Sequence, residues 1–279
     1  MSLLHFTLIT FVASLVAGVL GSMLGLGGGV IIVPFLTLWM KIDIRYAVGA
    51  SIVSVIATSS GAAAAYVRER MTNMRVAMFL EIATSAGALT GAFLAGIIAV
   101  RWIYIIFGAV LGYSAIVMFK KRNHAESPAV DPDPFADRLR LHSSFHDDAL
   151  GHEVHYRVSH TKLGFAMMYV AGIVSGLLGI GSGALKVPAM DLLMRLPIKV
   201  STATSNFMIG VTAAASAGVY FVRGDIDPFI SAPVVTGVLI GATVGSKMLQ
   251  KIQSNWIRVL FVIVLLWVSA QMLFKGIHG

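Results

Sequence analysis

Two short runs carry the residue types that could hold a small anion inside an apolar environment. They are Gly27-Gly28-Gly29, followed by Pro34, and Gly181-Ser182-Gly183, followed by Pro188. A helix that restarts after a glycine break points unpaired N–H groups and the positive end of its dipole outward, which suits an anion. Proline early in such a helix removes an N–H that has no partner there. Close helix packing explains isolated small-residue pairs such as Gly21/Gly25 and Gly241/Gly245. A matched pair of runs, each with its proline, favours a ligand site.

Ionisable residues inside apolar stretches come next, since charge there is expensive and functional by default. Lys186 stands just after the second glycine run, where it could supply positive charge to an anion. Pairing with Asp191, or snorkelling to an interface, explains it equally well. Asp191 and Arg195 have the spacing of a helical ion pair. Glu81, near the start of its apolar stretch, reads either as an interfacial residue or as a proton-carrying carboxylate. Asp191 and Glu81 are therefore the candidate coupling residues. Hydroxyl and amide groups cluster after each basic turn, and Ser51, Ser205 and Asn206 are the candidate neutral donors to an oxyanion. Other hydroxyls can simply bond to their own helices.

The elements that must position these residues are membrane spans. Of the 279 residues, 57% are hydrophobic and only 12% charged, against about 25% charged in soluble chains. That composition excludes an ordinary cytosolic enzyme, a nucleic-acid binder and a disordered chain. Cysteine is absent, which removes disulfides, thiolate metal sites and thiol catalysis. Neither a phosphate-loop motif nor a convincing dinucleotide fingerprint is present; no cofactor is expected, and the chain does not read as an enzyme. The +8 charge belongs to short loops that orient spans rather than to nucleic-acid binding.

Apolar stretches fall at about 4–40, 46–67, 76–100, 102–119, 163–194, 200–222, 228–249 and 256–274. The first would be roughly 54 Å long as one helix, too long for a core of about 30 Å. The glycine runs therefore divide 4–40 and 163–194 into a span and a shorter piece. Shifting the chain by 154 lays residues 17–66 on 171–220, with Gly25/Gly179, Gly27/Gly181, Gly29/Gly183, Pro34/Pro188, Ser51/Ser205, Thr58/Thr212 and Tyr66/Tyr220 matched. This predicts an all-α integral membrane protein of two homologous halves, about four transmembrane helices each, with glycine-broken first segments. The halves are 1–122 and 163–279, joined by a polar, His-rich linker at 123–162. Parallel and inverted halves both remain open. Such duplication with broken helices is the signature of a secondary transporter. The linker reads as solvated, and its histidines leave a metal or pH-sensing role as the lesser reading.

The same residues resemble the sulfite exporter family of the TauE/SafE type. The resemblance rests on Gly25-Leu-Gly-Gly-Gly29, then Pro34, then Ala50-Ser51. The second half repeats it with Ala203-Thr204-Ser205 and Gly224-Asp225-Ile226-Asp227. It implies transport of small sulfur oxyanions or organosulfonates across the inner membrane, with lipid bilayer and a small anion as partners. The sequence also leaves room for a homodimer, or for an accessory protein without transport. Loop charges place both termini and the linker in the cytoplasm.

Overall fold

The computed structural model describes residues 3–120, 133–148, 150–252 and 254–278. Its first half contains α1 (Leu3–Leu24), α2 (Gly29–Pro34), α3 (Ile44–Arg68), α4 (Met74–Ala95) and α5 (Val100–Lys120). The second contains α7 (Thr161–Leu178), α8 (Gly183–Pro188), α9 (Ile198–Val222), α10 (Pro228–Lys251) and α11 (Ser254–His278). Eight of these are long and apolar enough to cross a membrane. The protein is an all-α integral membrane protein. Exposed Phe93, Trp102, Phe119, Trp256 and Trp267 face outward, where lipid rather than water covers them. Asp43, Asn73 and Asp227 cap α3, α4 and α10 through their side-chain oxygens, satisfying N–H groups that a helix start leaves orphaned.

Backbone at the two breaks adopts left-handed geometry, with φ of +76° at Gly27 and +75° at Gly181. A Cβ is disfavoured there, so glycine is the natural residue. Ser182 takes a positive φ where the first half has Gly28. Beyond Pro34 and Pro188 each short helix loosens into a π turn, Phe35–Trp39 and Ala189–Leu193. Both segments end at a left-handed basic residue, Lys41 and Arg195.

Each broken segment doubles back on itself. Ser159, next to the start of α7, donates its N–H to the carbonyl of Met194 at the end of the second π turn. The chain thus enters along α7, turns at the break and returns to the same end. By the same route α1 and α2 make one excursion, and the glycine-rich face of Gly21 lies against Gly28.

The two halves run in opposite senses. Gly49 lies against Asp225, Ser59 bonds the carbonyl of Asn206, and the Asn73 N–H reaches Thr204. As numbering rises on α3 it falls on α9, so these central helices are antiparallel. Around them α1 packs along α10 and α7 along α4, each pair side by side in the same direction. Gly237 and Gly241 touch Phe11 and Leu15, while Gly87 and Gly91 touch Tyr169 and Ile173. Arg101 at the start of α5 donates to the carbonyl of Gly276 near the end of α11. Both described chain ends therefore lie at one end of the bundle.

The linker lies at the opposite end. Asn73 in the α3–α4 turn bonds Leu141 and Tyr156. This corrects the expectation of termini and linker on one face. The error came from the broken segments, whose short helices return the chain instead of carrying it across. The described linker is also folded rather than merely solvated. It forms α6 (Pro134–Arg138) and a hairpin of β1 (Ser143–Asp147) with β2 (His152–Tyr156). Asp147 reaches 2.7 Å from Lys199 in a buried ion pair at the start of α9. His124, named with the linker histidines, lies outside the described residues. Among the described residues no group of three or more His, Asp or Glu could hold a metal ion.

Candidate functional site

The two glycine breaks meet where α3 and α9 cross. Val55 of α3 and Ile209 of α9 each lie against both Gly27 and Gly181. A Cβ on Gly183 would overlap the carbonyl oxygen of Gly25, and one on Gly29 would overlap the Ser51 hydroxyl. Glycine is thus required here for contact as well as for conformation.

Hydroxyls lock the crossing reciprocally. Ser51 donates to the carbonyl of Gly179 at 2.8 Å, and Ser205 donates to the carbonyl of Gly25 at 2.9 Å. Each serine of one half therefore ties down the break of the other. Tyr66 and Tyr220 repeat the device within each half, donating to the carbonyls of Ser22 and Gly176. Asn206 donates to Ser22 at 2.7 Å, while its side-chain oxygen is buried without a hydrogen bond. The sequence-selected Gly27, Gly28, Gly29, Ser51, Gly181, Ser182, Gly183, Ser205 and Asn206 thus gather at one place. In this conformation the serine protons are spent on backbone. A ligand there must open the serine–carbonyl bonds to use them.

Beside the second break the arrangement becomes charged. Lys186, in the first turn of α8, is wholly buried. Its ammonium donates to the Thr212 hydroxyl at 2.6 Å. Thr212 in turn donates to one Glu81 oxygen at 2.7 Å, and Ser85 donates to that same oxygen at 2.7 Å. The second Glu81 oxygen stands 3.8 Å from the ammonium, buried and without a hydrogen bond. Glu81 is only 8% exposed, which replaces the interfacial reading with a buried one. Asp191 is buried on the following π turn, outside this chain of bonds; the charged partner the geometry gives Lys186 is Glu81.

Sequence reading named Thr212 only as one hydroxyl among many and did not select Ser85. A signal existed: Thr212 matches Thr58 in the repeat, while Lys186 matches Ile32. A hydroxyl kept in both halves beside a charge found in only one marks where the second half differs. The buried Asp147–Lys199 pair had no such signal, because its partners lie 52 residues apart in unrelated elements.

Chemically, the crossing offers a buried cation, hydroxyls and restarted helices to an anion, and one carboxylate to a proton. A sequence profile described as Sulfite exporter TauE/SafE matches residues 10–272. A Bacillus subtilis (strain 168) protein, "Probable membrane transporter protein YunE", is 28% identical over 279 residues, covering 97% of this chain and 98% of its own. A second from the same organism, "Probable membrane transporter protein YdhB", is 26% identical over 232 residues, covering 82% of this chain and 85% of its own. No solved structure matches.

Proposed function

The chain belongs to the TauE/SafE sulfite exporter family, and from that premise we propose a secondary transporter of small sulfur-containing anions across the cell membrane. Sulfite, an organosulfonate or a related oxyanion is the substrate class. One observation carries the reading: a lysine ammonium with no solvent exposure, Lys186, beside the crossing of two broken helices. A buried cation is costly unless paired, and its charged partner Glu81 stands 3.8 Å away without a direct hydrogen bond to it, so the site suits an anion able to take that place. The anion exchanges its water shell for Lys186 and Thr212. The serine–carbonyl bonds of Ser51 and Ser205 hold each break to the opposite half, and opening them lets one half move against the other.

The oppositely running halves support alternating access, because exchanging their conformations would open the crossing to the other side. Basic residues divide unevenly between the ends. Arg68, Arg70, Arg75, Arg138, Arg140, Arg157, Lys162, Arg195 and Lys247 lie toward the linker end. Lys41, Arg45, Arg101, Arg223 and Lys275 lie toward the other. By the positive-inside rule this imbalance supports a cytoplasmic linker end, with the two chain ends outside. Purified protein in liposomes, assayed for exchange of sulfite, thiosulfate and ethanesulfonate, tests the function. Saturable exchange of at least one, weakened tenfold or more by Lys186→Met, is expected. A failure to move any of the three overturns it.

A further inference from the structure

Lys186, Thr212 and Glu81 have counterparts at the corresponding place in the first half, and these carry no charge. Lys186 corresponds to Ile32 and Thr212 to Thr58 in the shift by 154. The glycines that seat α4 on α7 and α10 on α1, Gly87/Gly91 and Gly237/Gly241, match Glu81 with Ser231. Ile32, Thr58 and Ser231 are all buried. The architecture is thus built once with an uncharged set, and the ion pair is not needed to close the fold. Its own geometry is also incomplete. One Glu81 oxygen is saturated by Thr212 and Ser85, while the other is buried, unbonded and 3.8 Å from the ammonium.

We propose that Glu81 is the proton-coupling residue: the anion and Glu81 compete for the Lys186 ammonium, so each monovalent anion enters the site together with one proton. The inference rests on the anion site proposed above. An arriving anion takes the ammonium, and Glu81 is left as a second negative charge in a buried place. An uncompensated buried charge is strongly destabilising, so the free Glu81 oxygen takes a proton. The proton comes from hydronium of the solution on the side then open to the site, so one O–H bond forms on Glu81 as one breaks in the hydronium and a water molecule is left. When the anion leaves, the proton leaves and the pair reforms. The hydroxyl of Thr212, touching both charges, keeps Lys186 and Glu81 in register through the exchange.

Other ionisable groups on the surrounding elements are Arg75 at the start of α4, Lys162 and Tyr169 on α7, Lys199 and Tyr220 on α9, Asp191 on the π turn, and Asp133, Asp137, His142 and Tyr156 of the linker packed on the start of α4. Lys199 is engaged by Asp147, and Tyr169 lies near Thr90. Among the described residues, the charged side chain within 4 Å of Glu81 is Lys186.

The test uses the full chain in liposomes with ethanesulfonate, whose charge is constant with pH, and a trapped pH-sensitive dye. Expected for the parent is anion uptake that carries protons inward and accumulates, under a proton gradient, up to about tenfold per pH unit at zero membrane potential. Glu81→Gln is expected to lose gradient-driven accumulation, and its exchange rate, whatever its size, no longer varies with pH. Parent exchange of ethanesulfonate with no proton movement overturns the coupling while leaving the transport reading intact. Accumulation by Glu81→Gln equal to the parent overturns it as well. Should Glu81→Gln fail to insert, the parent dye measurement still decides. No exchange of any sulfur oxyanion by the parent overturns the transport reading itself, and the coupling falls with it.

Discussion

Replacing Lys186 with methionine should destabilise the protein in a way that depends on pH and is repaired by a second change. Methionine keeps most of the stem that packs beside the second break and removes only the charge and its donors. At 3.8 Å the lost attraction is about 4 kcal/mol for an effective dielectric constant of about 20. Both partners are buried, so solvent screening takes little from that figure. A ceiling exists, because Glu81 in the variant can fold protonated. Lys186→Met should therefore lose about 3–4 kcal/mol at pH 7. The loss should shrink between pH 7 and pH 5, because a proton can then take the place of the missing ammonium beside the stranded carboxylate. Adding Glu81→Gln should recover most of it, since an uncharged Ile32–Thr58 arrangement already fills the matching place. Thermal unfolding in detergent across that pH range, for both single variants and the double, measures the coupling. A Lys186→Met protein as stable as the parent at pH 7, with nothing regained in the double, refutes the pair.

Because the chain lacks cysteine, single cysteines at exposed His155 of β2 and exposed His5 of α1 should react with impermeant reagents from opposite sides of the membrane; labelling from one side refutes the inverted arrangement. Asp147→Ala removes the carboxylate that neutralises buried Lys199 and should cost about 3–5 kcal/mol, seen as a lower unfolding temperature and faster hydrogen exchange in both hairpin strands. Asp133 ties α6 to the start of α7, accepting from Thr161, Phe135 and Ala136. Burial pushes its carboxyl up, but these bonds outweigh burial and hold it below the usual range. Its contribution is therefore complete at neutral pH and is lost as pH falls below about 4, measurable as rising exchange at Thr161 that Asp133→Asn abolishes.

How much of this was legible depends on the range of the interaction. Hydrophobic runs, the glycine breaks and the prolines are local signals, so the spans and the gathering of Gly27, Gly181, Ser51 and Ser205 could be read directly. The direction of the short segments could not. Whether residues 29–39 and 183–193 continue across or turn back is set by contacts such as Gly21 meeting Gly28 and Ser159 meeting Met194, which are invisible to periodicity. That single unknown left the relative sense of the halves open and misplaced the linker relative to the chain ends.

The linker shows a second limit. Its polar composition promised no apolar core, yet Phe145, Val158 and Leu141 are buried with Val76, Leu80 and Met208 of the helices. A segment too polar to fold alone can fold by borrowing the apolar surface of its neighbours. Lys186 lies between these cases. Sequence found the residue and framed its choices, an anion, Asp191 or the membrane interface; Glu81, 105 residues earlier on another helix, was a separate candidate. The structure joins them, and the uncharged Ile32 at the matching position in the first half argues that the charge serves the anion and its proton rather than the packing.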